Sequence, residues 1–497
     1  MLPKPRSNTN GTTGSGCEGC PFAGDMQGFT PDTIRPGASV VLWAQGPGES
    51  EERGQRYLGK DSTGQEQWEA HPPAPLIGKT GRLMETTFLP LAGLNREDVS
   101  LSNSIRCRWN HQNTLPPLTQ KVIQAAIKHC TLAHWTPPEN NPLYVAMGEY
   151  ATYTLTGLLH GFNGWRGYLL PKRHPWELPK PMTGVWTPGP QEPKVFVTYH
   201  LAYLFRDGGA ELPAKRDWNK IPQILSGRWP EPYPGHSTEP PDLWPTYAAF
   251  DTEFDFSRVS SRASGSYQLP EPRLIRYSLA TRDRKIWVVE SERAGKISVA
   301  PGSTVIMHNA PADIPHLKGL LDYTSVIIED SMMAHAVLWT GKVETDEQKG
   351  RTGGAMSHTL NFLGSMYSRF NRWKHLAHIA PKTYAGGDAL GTMDVWETGL
   401  HGGLKGELER DPQSKWVYEN LQKPLVPIIL RMRQRGIAVD QEAAKRALLD
   451  IVRQQRTFAM QAQAYAGWEL NLRSPSHVAF WLYMVEKLKV RRKFGAR

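Results

Sequence analysis

The sequence predicts an α/β protein with two layered α/β domains followed by a short helical tail. Short apolar strand candidates alternate with amphipathic helical stretches between about residues 36 and 225. A second pattern of this kind opens at Tyr247 and runs to about residue 400, and the last hundred residues show long helical periodicity instead. Strands that alternate with helices are typical of layered domains built on a mostly parallel sheet.

Composition limits the class of protein. The chain has 497 residues, with 58 Lys and Arg against 48 Asp and Glu and a formal net charge of +10. This charge allows a polyanionic partner such as DNA but does not prove one. No apolar run approaches the roughly 18 residues of a membrane span, the first residues lack a secretory signal, and four cysteines are too few for a disulfide scaffold. We therefore expect a cytoplasmic protein with no membrane partner.

The first domain is predicted to span residues 16–226, after a flexible Ser-, Thr-, Asn- and Gly-rich leader at 1–15. Apolar runs predict strands over 39–44, 99–105, 142–147 and 194–199. Helical spacing predicts helices over 82–91 and 118–132, and Lys215–Trp218 is expected to start another. A Pro-rich stretch with little periodicity, 227–245, is predicted to be an interdomain linker.

The four cysteines are candidates for one metal centre. Cys17 and Cys20 form a C-x-x-C pair, and Cys107 and Cys130 follow far downstream. Four thiolates suit either tetrahedral zinc or a [4Fe–4S] cluster. The alternative is four unrelated cysteines, with Cys107 and Cys130 as buried apolar side chains.

The segments around these cysteines resemble the family 4 uracil-DNA glycosylases. In chain order they are Cys17-Glu-Gly-Cys20, Ala44-Gln-Gly-Pro-Gly48, Pro75-Leu-Ile-Gly-Lys-Thr-Gly81, Leu101-Ser-Asn-Ser-Ile-Arg-Cys-Arg108, Cys130 and Tyr199-His-Leu-Ala-Tyr-Leu-Phe-Arg206. The resemblance implies an α/β/α fold, a role on DNA, and a [4Fe–4S] cluster on Cys17, Cys20, Cys107 and Cys130. Zinc stays the metal alternative.

The same resemblance assigns a base-excision site. Asn103 would hydrogen-bond the flipped base, since an amide offers both donor and acceptor, and His200 would donate to the uracil carbonyl as charge develops on it. Gly46 and Gly48 would let the backbone approach the nucleotide. The remaining substrate-binding position of the first motif is kept as Glu51.

Two positions depart from the family pattern. Gln45 stands where the family has a water-handling glutamate, and an amide can orient a water but cannot take its proton. Leu76 stands at the aromatic stacking position. Two interpretations therefore stay open, uracil excision and a non-catalytic DNA-binding or docking module. An additional segment, 58–73, interrupts the first motif.

The second domain carries carboxylates in a metal-binding order. Asp251 and Glu253 lie two apart on a predicted strand and so point to one face. Asp313 is expected at the start of a helix, and Tyr384 and Asp388 lie four apart, on one face of another. Carboxylates grouped in this way bind Mg²⁺ or Mn²⁺. Taken alone, Asp251 and Glu253 would more often be a solvated strand end.

The complete order resembles the DEDDy 3′–5′ exonuclease domain of family A DNA polymerases, over residues 246–400. It implies an RNase H-like fold and two Mg²⁺ ions on Asp251, Glu253, Asp313 and Asp388, with Tyr384 aiming the attacking water and Asn309 contacting substrate. Four carboxylates in one place repel one another, so such a site requires cations. Gly386 and Gly387 lie inside the expected helix and cost helical propensity.

Helical periodicity over 416–435 and 442–465 places a helical tail at 401–497. The tail resembles the start of the thumb of a family A polymerase, but the palm and fingers motifs are absent, so we expect no polymerisation from this polypeptide. The basic end, Lys489–Arg497, is as compatible with a solvated helix end as with a DNA contact. A further alternative is that the tail docks a separate palm and fingers subunit or another replisome protein.

Together these patterns predict a DNA replication or repair protein of phage type. Its predicted activities are a two-metal 3′–5′ exonuclease and a fused uracil-DNA glycosylase-like domain. The alternatives are that only the exonuclease acts, or that the whole chain is an accessory subunit of a split polymerase.

Overall fold

The fold is given by a computed structural model. It describes the following residues: 16–22, 28–108, 120–138, 140–158, 161–177, 192–255, 273–294, 299–317, 321, 325–339 and 357–487. The predicted leader at 1–15 and the basic end at 489–497 lie outside these residues. No helix in the described part of the chain is long and apolar enough to cross a membrane.

The described residues of the first half of the chain contain seven strands. They are β1 Val40–Ala44, β2 Gln55–Lys60, β3 Glu66–Ala70, β4 Val99–Asn103, β5 Leu143–Met147, β6 Leu169–Pro171 and β7 Lys194–Thr198. Five of them form one sheet in the order β4-β1-β5-β7-β6, in which only β6 runs antiparallel to its neighbour. Strands β2 and β3 form a separate, largely exposed hairpin, which accounts for most of the additional segment at 58–73.

Eight α-helices belong to the described residues of this half. They are α1 Glu49–Glu52, α2 Lys79–Leu83, α3 Leu89–Leu91, α4 Gln120–His134, α5 Glu149–Thr156, α6 Phe162–Trp165, α7 Glu211–Trp218 and α8 Ile221–Leu225. A π-helical turn, Met84–Phe88, joins α2 and α3, so the predicted helix over 82–91 is confirmed. The expectation that Lys215–Trp218 starts a helix is wrong, because these residues end α7, which begins at Glu211.

The second half contains a five-stranded mixed sheet. Its strands are β8 Tyr247–Asp255, β9 Arg273–Ala280, β10 Ile286–Glu290, β11 Thr304–Met307 and β12 Ile327–Asp330, in the order β10-β9-β8-β11-β12. Strands β8, β11 and β12 are parallel to one another, whereas β9 is antiparallel to both β8 and β10.

Ten α-helices follow in the described residues from 291 onward. They are α9 Ser291–Ala294, α10 Ala310–Asp313, α11 Ser331–Leu338, α12 Leu360–Tyr367, α13 Pro381–Met393, α14 Gly403–Arg410, α15 Pro412–Val417, α16 Lys423–Arg435, α17 Gln441–Ala466 and α18 Pro475–Phe480. The helices predicted over 416–435 and 442–465 are confirmed, the first as α15, a π-helical turn at Tyr418–Gln422 and α16.

Both sheets belong to one compact unit that includes the described residues up to 426, and residues 427–487 belong to a second unit. Within the first unit, the two halves share buried polar contacts. The side-chain amide of Asn371 accepts from the Leu169 N–H at 3.1 Å and donates to its carbonyl at 2.9 Å. Trp229, in the stretch predicted as a linker, is buried and donates to the Ser368 carbonyl at 3.1 Å. The predicted domain boundaries themselves stay predictions.

Candidate active sites

The first candidate site lies where the parallel strands of the first sheet end. Ala44 at the end of β1 is paired with Asn103 at the end of β4, so the loop that starts at Gln45 lies beside Asn103. His200 follows β7 and caps a short 3₁₀ turn. The carboxyl ends of parallel strands form the usual ligand crevice of open α/β sheets.

A cavity of about 240 Å³ opens at this edge. It is lined by Gln45, Gly46, Pro47, Arg108, His200, Ala202 and Arg206. The structure therefore brings three of the predicted residues together in one pocket, namely Gln45, Gly46 and His200. Two arginines that the sequence did not single out add positive charge to the pocket, which suits an anionic substrate.

Asn103 is almost fully buried, with 1% of its surface exposed. Neither its side-chain oxygen nor its side-chain nitrogen has a hydrogen-bond partner in the structure. Buried amides are normally hydrogen-bonded, and an unpaired one costs about 1–3 kcal/mol per group. The orphaned amide fits a residue whose partner is a ligand.

His200 is held as a neutral imidazole. Burial lowers its pKa to about 4, and the positive charge of Arg206 adds to this effect. Its Nδ1 accepts a hydrogen bond from the backbone N–H of Ala202 at 3.2 Å. The proton of the neutral ring therefore resides on Nε2, which is free to act as a donor.

Glu51, Gly48 and Leu76 shape the loop rather than line the cavity. The carboxylate of Glu51 accepts from the Gly48 N–H at 3.1 Å, and burial raises its pKa to about 7. Leu76 is 3% exposed, packs in the core of the first sheet and has a positive φ of 55°. Arg96 fixes this strained residue by donating to its carbonyl at 2.7 Å. The substrate-binding roles of these residues stay predictions.

The four cysteines lie within electrostatic range of one another. Burial raises the pKa of the Cys107 thiol, and the charges of Cys130, Cys20 and Cys17 raise it further. Tetrahedral zinc, with Zn–S bonds of about 2.3 Å, would hold its sulfurs within about 4 Å of one another. Among the described residues, the one group of three or more potential ligands within 4.8 Å contains no cysteine, so the sulfurs are not at the spacing of a zinc site.

The surroundings of the thiols fit a buried metal cluster. The backbone N–H of Arg106 donates to the sulfur of Cys130 at 3.3 Å, and Phe22, Ile105 and Ile127 pack around Cys107. Hydrogen bonds to the sulfurs and an apolar shell are the protein's means of tuning a cluster. The donor set therefore fits a [4Fe–4S] cluster held by the four cysteines.

The second candidate site contains Asp251 and Glu253 on β8 and Asp388 on α13. Their carboxylate oxygens all lie within 4.8 Å of one another. Burial raises the pKa of Asp251 and of Glu253, and the negative charge of Asp388 raises both further. One oxygen of Asp251 is buried without a partner. Oxygen ligands of this kind fit a hard divalent cation such as Mg²⁺.

Asp313 lies close enough to interact with this group but is not part of it. Burial raises its pKa to about 7, and the charges of Glu253 and Asp330 contribute. The prediction that Asp313 lies at the start of a helix is confirmed: it is in the first turn, α10, which a 3₁₀ turn continues to Leu317. Asn309 precedes α10 with a φ of 66°, and its backbone N–H donates to Asp330 at 3.2 Å.

Trp373 and Lys374 complete the surroundings of Asp388. The indole N–H of Trp373 donates to Asp388 Oδ1 at 2.6 Å, and the ammonium of Lys374 lies 2.5 Å from the same oxygen. Lys374 also donates to the hydroxyl of Tyr384 at 3.3 Å. The predicted pair of Tyr384 and Asp388 on one helix is confirmed, and a lysine connects them.

Sequence reasoning missed both of these residues. Lys374 belongs to no spacing motif, because only the tertiary fold brings it next to Asp388. Trp373 did leave a signal, namely the glycines of α13. A Cβ on Gly387 or on Gly391 would lie 2.5 Å from the ring of Trp373, so the two glycines form a flat groove for an aromatic side chain.

Comparison with known proteins identifies the first half. Residues 31–221 match the family model of the uracil DNA glycosylase superfamily. The N-terminal region is a uracil-DNA glycosylase superfamily domain. A type-4 uracil-DNA glycosylase from Thermotoga maritima is 27% identical over 197 residues, which are 39% of this chain and 81% of that protein.

Similarities to solved structures are weak. Brucella melitensis NrnC with bound Mg²⁺ is 19% identical, covering 40% of this chain and 92% of its own, with a TM-score of 0.28. The POL domain of Pol1 from M. smegmatis, in complex with DNA primer-template and dNTP, is 18% identical. The match covers 49% of this chain and 37% of that chain, with a TM-score of 0.31. These scores are too low to carry a conclusion about the carboxylate site.

Proposed function

We propose that this chain acts on DNA as a metal-dependent 3′–5′ exonuclease that is fused to a uracil-DNA glycosylase domain. The nuclease assignment rests on the group formed by Asp251, Glu253 and Asp388, whose carboxylate oxygens all lie within 4.8 Å of one another. The sheet beneath it supports the same assignment. Counted from β8 as the first strand, its order is 3-2-1-4-5, which is the order expected of an RNase H-like domain.

The residues of the site suit hydrolysis of a phosphodiester. Two Mg²⁺ ions on Asp251, Glu253, Asp313 and Asp388 would supply an activated water and stabilise the leaving 3′ oxygen. Tyr384 would orient that water through its hydroxyl. Lys374 holds this hydroxyl and balances the charge of Asp388.

A strand labelled at its 5′ end tests the nuclease. In Mg²⁺ it should shorten progressively from the 3′ end, and Asp251→Asn should remove at least 99% of this activity, because one ligand of the cluster is lost. Asp283→Asn, in the exposed turn after β9, is the matched control and should cleave like the wild type. Equal cleavage by wild type and Asp251→Asn would refute the assignment.

For the glycosylase domain we propose DNA binding, with a flipped base read by Asn103 and His200. The orphaned amide of Asn103 and the Nε2 donor of His200 support base recognition, and Gln45 argues for weak excision. Uracil-containing DNA incubated in EDTA, which silences the nuclease, should yield alkali-sensitive sites. Asn103→Ala should abolish them. If the wild type produces no alkali-sensitive sites, the domain is a DNA-binding module without excision activity.

The cysteine set is proposed to hold a [4Fe–4S] cluster. Protein purified without oxygen should be brown, with absorbance near roughly 400 nm, as expected for iron–sulfur centres on thiolates. Cys107→Ser should lose the colour and the iron. Stoichiometric zinc in the wild type would contradict this proposal.

A second candidate function is that of an accessory subunit of a split polymerase. The 26 residues of α17 include no buried side chain, and Leu448, Ile451 and Phe458 are all more than half exposed. Apolar surface of this extent usually marks an interaction site. If a neighbouring gene encodes palm and fingers motifs, its product should co-purify with the wild-type chain but not with a Leu448→Glu, Phe458→Glu variant.

A further inference from the structure

A second cleft, of about 410 Å³, opens beside the glycosylase pocket. The first half of the chain contributes Asn163, Tyr199, Tyr203 and Asp207 to its walls, and α12 contributes Asn361 and Phe362. The segment after β7 serves both cavities, because His200, Ala202 and Arg206 line the smaller pocket. The cleft therefore exists only where the glycosylase domain meets the second half, and none of the roles described above uses it.

One wall of the cleft is aromatic. The rings of Tyr199 and Tyr203 are stacked, with centroids 5.5 Å apart and planes 28° from parallel. The guanidinium of Arg206 lies 5.8 Å from the centre of the Tyr203 ring. An aromatic face beside a cation is how proteins bind unpaired bases without sequence preference.

The opposite wall is the first turn of α12, an eight-residue helix. Its N-terminal N–H groups and helix dipole attract anions such as phosphate. Asn361 lies in this turn, and its side-chain oxygen is buried without a hydrogen-bond partner. This unpaired acceptor is an independent sign of a missing ligand, because buried polar atoms are normally paired.

Asp207 carries the one negative charge among the six wall residues named, and each of its two oxygens already accepts a hydrogen bond. Its two oxygens accept from the Tyr203 hydroxyl at 2.8 Å and from the Gly209 N–H at 3.0 Å. These bonds fix the Tyr203 ring in place, so the aromatic wall is formed before any ligand arrives.

We propose that this cleft binds one nucleotide, with its base against Tyr203 and Tyr199, its polar edge at Asn361 and its phosphate at the start of α12. The volume of about 410 Å³ is within the range of small-molecule sites, roughly 300–1,000 Å³. The nucleotide is either a unit of single-stranded DNA that passes the glycosylase pocket or a free nucleoside monophosphate. The inference rests on the proposed role on DNA but requires neither reaction.

Binding of a fluorescent (dT)₁₂ strand and of dTMP to the full-length protein in EDTA tests the proposal. Loss of stacking on one ring, about 1–3 kcal/mol, corresponds to about 5- to 140-fold weaker binding. Tyr203→Leu should weaken binding to this extent, and Asn361→Leu, which removes a hydrogen-bonding amide, should weaken it by about 2- to 12-fold. Asp283→Asn, in the exposed turn after β9 and outside the cleft, should bind like the wild type.

Comparing (dT)₁₂ with dTMP distinguishes a DNA strand from a free nucleotide as the ligand of the cleft. Binding of (dT)₁₂ alone, lost in Tyr203→Leu, assigns the cleft to a DNA strand, whereas binding of dTMP with the same loss assigns it to a free nucleotide. Unchanged affinity of Tyr203→Leu and Asn361→Leu for both ligands would overturn the proposal. Because the strand lacks uracil and EDTA silences the nuclease, failure here is distinct from failure of either proposed activity.

Photocrosslinking of the wild-type chain gives a second measurement that needs no variant. A strand that carries 5-iododeoxycytidine should crosslink to Tyr199 or Tyr203, as located by mass spectrometry. Crosslinks confined to other parts of the chain would overturn the proposal even if a substituted protein failed to fold.

Discussion

Lys374 shows how one side chain makes the carboxylate group compatible with a folded, metal-free protein. Its ammonium contacts Asp388, and its charge lowers the pKa of Asp251 and Glu253, against the effects of burial and of the neighbouring carboxylates. Without a cation, like charges this close would destabilise the fold. Lys374 therefore supplies part of the charge balance that bound metal would complete.

The raised pKa values of the site predict how Mg²⁺ affects stability. A carboxyl group whose pKa is raised on folding holds its proton more tightly in the folded state than in the unfolded state. Its contribution to the free energy of unfolding is therefore full below the unfolded pKa and is lost as the pH rises through the folded pKa. For Asp313 the folded value is about 7. Without metal, the stability contributed by this site should thus fall as the pH rises from about 4, the ordinary pKa of the carboxyl, to about 7, and Mg²⁺, which binds the ionised form, should restore it.

Thermal unfolding in EDTA and in Mg²⁺ measures this effect. The increase in Tm on adding Mg²⁺ should be larger at pH 8 than at pH 6, since a ligand that binds only the folded state raises its stability. The increase should nearly vanish in Asp251→Asn. An increase that is independent of pH would show that protons and metal do not compete here.

Gln45 predicts a gain of function in the glycosylase pocket. It lines the cavity with His200, where a carboxylate could accept a proton from the attacking water. Gln45→Glu should therefore raise the rate of uracil excision by about 10²-fold or more, the usual contribution of a general base. The measurement is formation of alkali-sensitive sites in EDTA, with Gln45→Leu as the variant expected to show no gain. Equal rates for Gln45→Glu and wild type would mean that the amide is not what limits excision.

At the scale of elements, α13 shows why glycines that weaken a helix are tolerated. The sequence predicted a cost from Gly386 and Gly387, yet the helix is continuous from Pro381 to Met393. A Cβ on Gly386 would collide with the Tyr233 hydroxyl, and one on Gly387 would collide with Trp373. The lost propensity, about 1 kcal/mol per glycine, is offset by close packing that places Trp373 on Asp388.

Gly387→Ala should therefore harm both stability and nuclease activity. The added methyl would force Trp373 away from α13, at a cost of about 1–3 kcal/mol, and would break its bond to Asp388. Gly406→Ala in α14 is the control, because its Cβ meets no atom closer than 3.4 Å. It should be neutral or stabilising by about 0.5–1 kcal/mol. Urea denaturation and the 3′-shortening assay measure the two effects, and equal behaviour of both variants would contradict this role for Gly387.

Much of the element order could be predicted from local pattern. The strand predicted at 39–44 is mostly an apolar run and appears as β1, and the strand predicted to carry Asp251 and Glu253 appears as β8. The helix start at Asp313 was predicted, but not that α10 is a single turn whose Ala310 N–H donates to the carboxylate of Asp330 on β12 at 2.8 Å. The salt bridge of Lys374 with Asp388 likewise depends on tertiary contacts that leave no periodic trace.

At the scale of the whole molecule, the junction of the two halves is built from buried charges. Arg166, Asp217 and Lys220 are fully buried, and Arg166 lies 2.5 Å from Asp217. Arg166 also donates to the hydroxyl of Ser365, and Lys220 donates to the Ser365 carbonyl at 2.6 Å. The first half thus supplies the charges, and Ser365 of the second half adds hydrogen-bond acceptors to those of the first half, such as the Gly167 carbonyl.

Asp217→Ala should destabilise this unit strongly. Removing one partner of a buried ion pair leaves an uncompensated charge and costs about 3–5 kcal/mol. Glu211→Ala on the same helix is the control, since its exposed pair with Lys215 contributes about 0.5 kcal/mol or less. Urea denaturation compares the two free energies of unfolding, and a similar small loss for both would show that the buried charges do not stabilise the junction.

The dry amide of Asn103 has a consequence for selectivity among bases. The folded protein has already withdrawn both amide atoms from water, so a base with the complementary donor and acceptor restores two bonds that were missing. A base with the wrong edge restores neither and brings its own unpaired groups. Sites that hydrogen-bond a polar group reject analogues lacking it by factors of about 10⁴–10⁵, far more than shape alone achieves. Under the base recognition proposed above, discrimination between uracil and cytosine is therefore expected to come from Asn103.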